Sequence, residues 1–557
     1  MVNLDNNNLI ELQAPTEAGS ALATDDLSDD PRSNFVPENS HQQEISSSFL
    51  SGSWRDTGIP LSNVDRTSRH NDASVSSGST QDVLTILFPK PFPSDNLVST
   101  SAFPRSSSIF QDSVLLLDSY SGVLSRVLSI YDGRFSPFRA AALSEWRRSP
   151  LLYSAFKYFV GIYRSGGDAN CRHWLGVNEA RLVVLGGLSS SLLTISRSLP
   201  VRKTEVLFVV CMFGLSSSWY DWKDLGLEHY YGASALLSEL LIENPKIPPK
   251  TTQFFAEFLL YWWMMLSFAC DPELRQIQDP PPIPQHMPEP RMPHPLTGIS
   301  PESQLLLGKV GRLVLSQRRT ALRQAMTTAG ALNYGLAGIE ESRNLEHQLV
   351  SLKIPTADMI LDPQDPHTSV NDLVNIARAY QLCGLLLLYC TYPNLLDHKL
   401  PPETSHAART LVSETPRSIA EYLISLAIHV LRVLEQNSKN SGTRTIEAIL
   451  LMIVSGVLSQ RAVCPSGSEG EIQCDICYQL PGISLSHEHS SLHGQMTATE
   501  ARALVVTRFQ RIQDILPFNT IWRMKLLVLE TWRLMDQGSD VFWVDLLVQN
   551  NWQFVMI

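Results

Sequence analysis

Between Ile419 and Leu434 the apolar residues fall at Ile419, Tyr422, Leu423, Leu426, Val430, Val433 and Leu434. Steps of three and four residues put them on one face of a helix. Helices patterned in this way bury their faces by packing on one another. The pattern recurs at Ala501, Leu504, Val505, Arg508, Phe509, Ile512 and Leu516, and again at Trp522, Leu526, Leu529 and Trp532. Asp536-Gln537-Gly538 stops the last stripe, and Gly538 suits the left-handed position that ends many helices. Strand-like alternation is scarce, and no Asn-Gly or Asp-Gly hairpin joins two β-branched runs. The expectation is an all-α fold.

The helical pattern begins near Ser113, so residues 113–557 are expected to form one large multi-helix domain. Residues 1 to about 80 are rich in Ser, Asn and Asp, with few adjacent apolar residues. Such a segment cannot bury enough surface to offset the entropy of ordering. Residues 81–112 are transitional, and Phe88-Pro89-Lys90-Pro91-Phe92-Pro93 reads as extended chain. Residues 1–112 are therefore expected to be a disordered, acidic, Ser-rich N-terminal segment. Asp25-Asp26-Leu27 and Phe49-Leu50 would suit an activation segment, while an inert tail is the simpler reading. Two interruptions divide the domain. Residues 278–295 carry eight prolines and read as a crossing loop, and residues 463–499 are a loop rich in Gly, Ser and His.

The most apolar run, Phe254 to Cys270, contains Glu257 and ends against Asp271-Pro272. It is short for a membrane span and suits a core helix. From Met1 to Asn8 there is no basic region leading into an apolar one, so no secretory signal is read and no membrane association is expected. The net charge of −11 repels a polyphosphate unless basic residues cluster. The densest basic spots are only pairs: Arg147-Arg148, Arg202-Lys203 and Arg318-Arg319.

The chain has eight cysteines, the first being Cys171. Cys211, Cys270, Cys383 and Cys390 lie in apolar stretches and read as small buried hydrophobes. Cys464, Cys474 and Cys477, followed by His487, His489 and His493, supply zinc-type donors, and Cys474-Asp475-Ile476-Cys477 could hold two of the four. The spacing departs from structural zinc sites, because His487 and His489 are separated by one residue rather than three to five. The segment reads as an ordinary loop. Gly166-Gly167 and Gly186-Gly187 match no phosphate-binding spacing, and no Gly-x-Ser-x-Gly elbow is present. His229 has no second histidine four residues away. No catalytic, cofactor-binding or metal-ligating residue is assigned, and the chain is not expected to be an enzyme.

Five segments occur in an order that carries a resemblance. They are Pro137-Phe138-Arg139 with Ser149 to Ala155; Leu227 to Leu237, preceded by Trp222; His294-Pro295-Leu296-Thr297-Gly298-Ile299-Ser300-Pro301-Glu302; Ala377 to Tyr389; and Leu529-Glu530-Thr531-Trp532 with Asp540, Trp543-Val544-Asp545-Leu546-Leu547 and Trp552. Together they resemble the fungal-specific transcription factor domain that follows a Zn(II)2Cys6 cluster, of the type found in acriflavine sensitivity control proteins. In Ser300-Pro301-Glu302 serine can cap the first amides and proline suits the first turn. His229 and Trp532 are expected to pack structurally.

The resemblance implies a nuclear transcription regulator whose helical body binds partners in the transcription machinery, a DNA-binding partner protein or a small apolar effector. A gene set of specialised metabolism or drug response is the implied pathway class. The departure is the zinc cluster itself, which needs six closely spaced cysteines, whereas residues 1–170 contain none. Direct DNA binding by this chain alone is not expected. A cluster-less member, a truncated gene product and a partner of a zinc-cluster protein all remain open. The alternative is a ligand-binding or scaffold protein derived from such a regulator.

Overall fold

A computed structural model describes residues 115–555 apart from 134, 145–148, 169, 172–173, 196–199, 244–248, 271–276, 278, 283–289, 324–327, 398–414, 460–495 and 551. Residues 1–112, Arg147-Arg148, most of the 463–499 loop and the candidate zinc donors Cys464, Cys474, Cys477, His487, His489 and His493 lie outside the described residues.

The described chain is helical, as the periodicity requires. After a π-helical turn at Tyr120–Leu124 come α1 (Pro137–Ser144), α2 (Pro150–Ser165), α3 (Trp174–Leu193) and α4 (Pro200–Leu215). Next are α5 (Leu227–Glu243), α6 (Pro249–Ala269), α7 (Pro301–Arg323), α8 (Thr328–Ser351) and α9 (Val370–Thr391). The chain finishes with α10 (Thr415–Glu435), α11 (Ala448–Ser455), α12 (Ala498–Ile515), α13 (Asn519–Asp536) and α14 (Trp543–Gln549). Among the described residues there is no strand, only isolated bridges between Arg291 and Ile360 and between His294 and Gly298.

Local chemistry sets several helix ends. Ser149 accepts a 3.0 Å bond from the Leu152 amide, with Pro150 in the first turn, and α2 stops at Gly166, whose φ is +59°. Reciprocal capping boxes start α9 (Ser369 with Asp372) and α12 (Thr497 with Glu500). Gly538, at φ +91°, closes α13 as its type suggested. The start of α7 at Pro301 agrees with the sequence, but the Ser300 hydroxyl meets the Glu302 carboxylate at 3.5 Å and not a backbone amide.

The helices stack through successive pairs. α2 packs on α3, α4 on α5, α6 on α7, and α7 on α9, which in turn carries α10 and α11. α11 is buried along its whole length, and both α12 and α13 close over it. Contact between α6 and α7 is close because two glycines admit it. A Cβ at Gly308 would lie 2.5 Å from the Trp263 ring, and one at Gly311 would lie 2.6 Å from the Phe268 ring. α9 is long and apolar enough to cross a bilayer, yet it is mostly buried within the domain. The Phe254–Cys270 run likewise forms a core helix, α6, with Trp262 and Trp263 fully buried.

One expected face is reversed. On α13 the buried residues are Ile521, Met524, Leu527, Val528, Thr531 and Trp532. Trp522, Leu526 and Leu529 point outward, although the sequence suggested that they line the core with Trp532. Both sets recur at helical spacing, and the packing of α11 and α12 selects the first.

Candidate functional site

Two clusters of buried polar groups could carry chemistry, and in both the groups are occupied by the fold. In α6, Glu257 is fully buried; its carboxylate accepts from Thr297 Oγ1 at 2.5 Å and from Gln253 Nε2 at 2.8 Å. Burial pushes its carboxyl up to about 7, with the bonds from Thr297 and Gln253 opposing that rise. His294 sits beside it on the turn before α7. Its Nδ1 accepts from the Leu296 and Thr297 amides, so Nε2 carries the proton and donates to the Phe254 carbonyl at 3.1 Å. Burial lowers this imidazole to about 3. The pair ties the end of the Pro-rich stretch to α6. Described residues of that stretch lie outside any helix, and Arg291 is bridged to Ile360 by two backbone bonds, from Arg291 N to Met359 O and from Leu361 N to Arg291 O.

The second cluster lies under α12. Arg508 donates to Glu447 Oε2 at 2.6 Å and to the Leu434 carbonyl. Arg502 forms a forked pair with Asp536 at 2.8 and 2.9 Å, donates to the Leu458 carbonyl, and lies 4.9 Å from the Trp532 ring centre. Trp532 Nε1 donates to the Ser455 carbonyl at 2.9 Å. These contacts knit α10, α11, α12 and α13 together. Sequence reading placed Arg508 within an apolar stripe and noted Glu257 in an apolar run. A lone charge in such a run was the available signal, but it does not name the partner, which comes from a distant segment.

The residues singled out by sequence fall into the same structural pattern. His229 packs edge-on to Phe213 at 5.3 Å, and burial lowers its pKa. Cys211, Cys270 and Cys383 are buried, Cys390 is half-buried, and burial raises the thiols of Cys211, Cys383 and Cys390. The described basic pairs are engaged within the fold: Arg202 binds Glu205 at 2.8 Å, Lys203 binds Glu239 at 2.8 Å, Arg318 binds Asp545 at 3.2 Å, and Arg319 is buried. They form no stripe that could follow a phosphate backbone. Among the described residues no group of His, Cys, Asp and Glu is arranged to hold a metal ion.

A core cavity of about 30 Å³ is lined by apolar groups that include Val127, Phe138, Trp219, Tyr261, Leu296 and Leu516. That is room for about one water and far below the several hundred Å³ of a typical ligand pocket. The surface is more informative. α3 exposes Leu175, Leu182, Val183 and Leu193, and α13 exposes Trp522, Leu526 and Leu529. Beside α13, the Arg523 guanidinium lies 3.6 Å from the centre of the Trp222 ring, and Lys223 Nζ lies 5.3 Å from it.

No curated protein and no solved structure matches the chain. A family model described as "Fungal specific transcription factor domain" matches residues 115–459, more than half of the 557 residues. The matched stretch contains α1 to α11, and α12 to α14 complete the core behind it. By that match over its stacked helices, the chain belongs to the fungal specific transcription factor domain family.

Proposed function

We propose that this chain is a nuclear regulator of transcription that works by binding a protein partner through its helical body, with DNA contacts supplied by that partner. Membership of the family supports a role in transcription regulation. The observation that carries the finer reading is the pair of outward apolar faces on α3 and α13. Large apolar groups left in contact with water mark places where another chain can gain free energy by covering them. The net charge of −11 and the internal pairing of Arg202, Lys203 and Arg318 favour a partner that is not duplex DNA. The core cavity described above, at about 30 Å³, is too small for an apolar effector, and the outward faces on α3 and α13 support a protein partner. By the family resemblance, genes of specialised metabolism or drug response are the proposed targets.

Fusing residues 1–557 to a foreign DNA-binding domain and reading a reporter gene tests the proposal. Altered reporter output from a nuclear fusion, together with negligible gel-shift of promoter DNA by the unfused chain, is the expected result. Tight, sequence-selective DNA binding by the unfused chain would overturn the division of labour. An inert fusion held in the cytoplasm would overturn the regulatory role.

A further inference from the structure

The indole of Trp222 has two cations on it. Arg523 lies 3.6 Å and Lys223 5.3 Å from the ring centre, and Phe554 meets the ring edge-on. Neither cation forms an ion pair among the described residues, and the buried Arg523 Nε has no hydrogen-bond partner. Two nearby carboxylates are engaged in loop turns: Asp221 accepts from the Lys223 amide at 3.0 Å and Asp224 from the Gly226 amide at 2.9 Å. Among the described residues a third cation, Lys525, donates to the neutral Gln510 side chain, at 3.0 Å, and forms no ion pair. Most cations described above are matched by carboxylates, so these stand out in a chain of net charge −11.

The same helix supplies the apolar half of a site. Trp522, Leu526 and Leu529 are 44%, 37% and 40% exposed. They stand at i, i+4 and i+7 on α13, a stripe about 10 Å long. Arg523 is three residues before Leu526 and Lys525 four before Leu529, so a cation flanks the stripe on either side. This is the arrangement that an amphipathic helix lays itself across.

We infer that this face of α13 docks an acidic amphipathic peptide of a partner protein, its carboxylates meeting Arg523 and Lys223 and its apolar side chains covering Trp522, Leu526 and Leu529. Charge selects the occupant. A second copy of this chain pairing through the same face would set the same cations against each other. A polyphosphate would find no use for the apolar stripe. An acidic segment with apolar residues three and four apart satisfies both halves. The inference rests on the partner-binding role proposed above and gives that partner a chemistry. Peptide binding in solution and reporter output are separate measurements, so either can fail while the other stands.

The test uses the full chain and a fluorescein-labelled 15-residue helical peptide with Leu or Phe at i, i+4 and i+7 and Glu on the flanks, followed by anisotropy. Saturable binding is expected, weakened about tenfold or more by Arg523→Gln, by Lys223→Gln and by Trp522→Ser, with circular dichroism unchanged. Replacing the peptide's Glu by Gln, or its apolar residues by Ser, should cause a similar loss, and added salt should weaken the charged pairing. Absence of saturable binding, equal binding by all three variants, or equal binding of the amide peptide would overturn the inference. So would a concentration-dependent dimer of the free chain that Trp522→Ser abolishes, which would assign the face to a second copy. Displacement of the peptide by the chain's own residues 1–31, added as a separate peptide, with no partner-type peptide binding better, would assign it to this chain itself.

Discussion

Arg508 and Glu447, 61 residues apart in the sequence, meet in the core at 2.6 Å with both side chains buried. Arg508 also caps the Leu434 carbonyl, so one guanidinium joins α10, α11 and α12. Breaking such a pair leaves a charge with no counter-ion in a low-dielectric interior, which costs about 3–5 kcal/mol. Arg508→Met is therefore expected to lower the denaturant midpoint strongly. The double change Arg508→Met with Glu447→Met should recover much of the loss. Equal destabilisation by the single and double variants would contradict the pairing.

Glu257 should make stability depend on pH. Its folded pKa, about 7, stands above the ordinary 4.5, so its contribution is fully present below 4.5 and is lost as pH rises to 7. A difference of that size corresponds to about 3 kcal/mol. His294 acts in the opposite sense. Its folded value, about 3, stands below 6.5, so its contribution is present above 6.5 and is lost as pH falls toward 3. Glu257→Gln keeps the bonds to Thr297 and Gln253 possible and removes the charge. The variant should gain stability at pH 8, with little gain at pH 4.5, as read by urea unfolding at the two values.

Close approach of α6 and α7 depends on having no side chain at Gly308 and Gly311. Valine at either position would drive into Trp263 or Phe268, both buried. Overpacking of this kind typically costs about 1–3 kcal/mol. Thermal melts of Gly308→Val and Gly311→Val should both fall. A control valine at Gly232, where a Cβ meets nothing within 4 Å, should not produce that loss.

The orientation of α13 can be checked with two substitutions. Leu527 is fully buried and Trp522 is 44% exposed. Leu527→Ala should cost about 2–5 kcal/mol, as core truncations do. Trp522→Ser should change stability by no more than about 0.5 kcal/mol, as surface changes do. The reverse ranking in denaturant titrations would return Trp522 to the core.

Removing the indole N–H of Trp532 should be felt locally. Trp532→Phe keeps an aromatic ring but takes the indole donor from the Ser455 carbonyl, leaving it the longer 3.3 Å bond from the Leu458 amide, and weakens the seat for Arg502. A loss of about 1–3 kcal/mol is expected, with faster hydrogen exchange at the end of α11 as the accompanying sign.

Helix content was legible from the chain alone because periodicity and capping act between residues three or four apart. The stripe from Ile419 to Leu434 did become α10, and Gly538 did close α13. The family resemblance was legible for a related reason, since its segments are helix starts and helix faces. The outward turn of Trp522, Leu526 and Leu529 was not legible. α13 carries two apolar faces, and choosing between them requires knowing that α11 lies beneath. The partners of buried charges were equally hidden: Glu447 waits for Arg508, and Glu257 for Thr297, 40 residues away. Local spacing sets what each segment can become, whereas burial, ion pairing and the cations gathered on Trp222 depend on which distant segments the packing brings together.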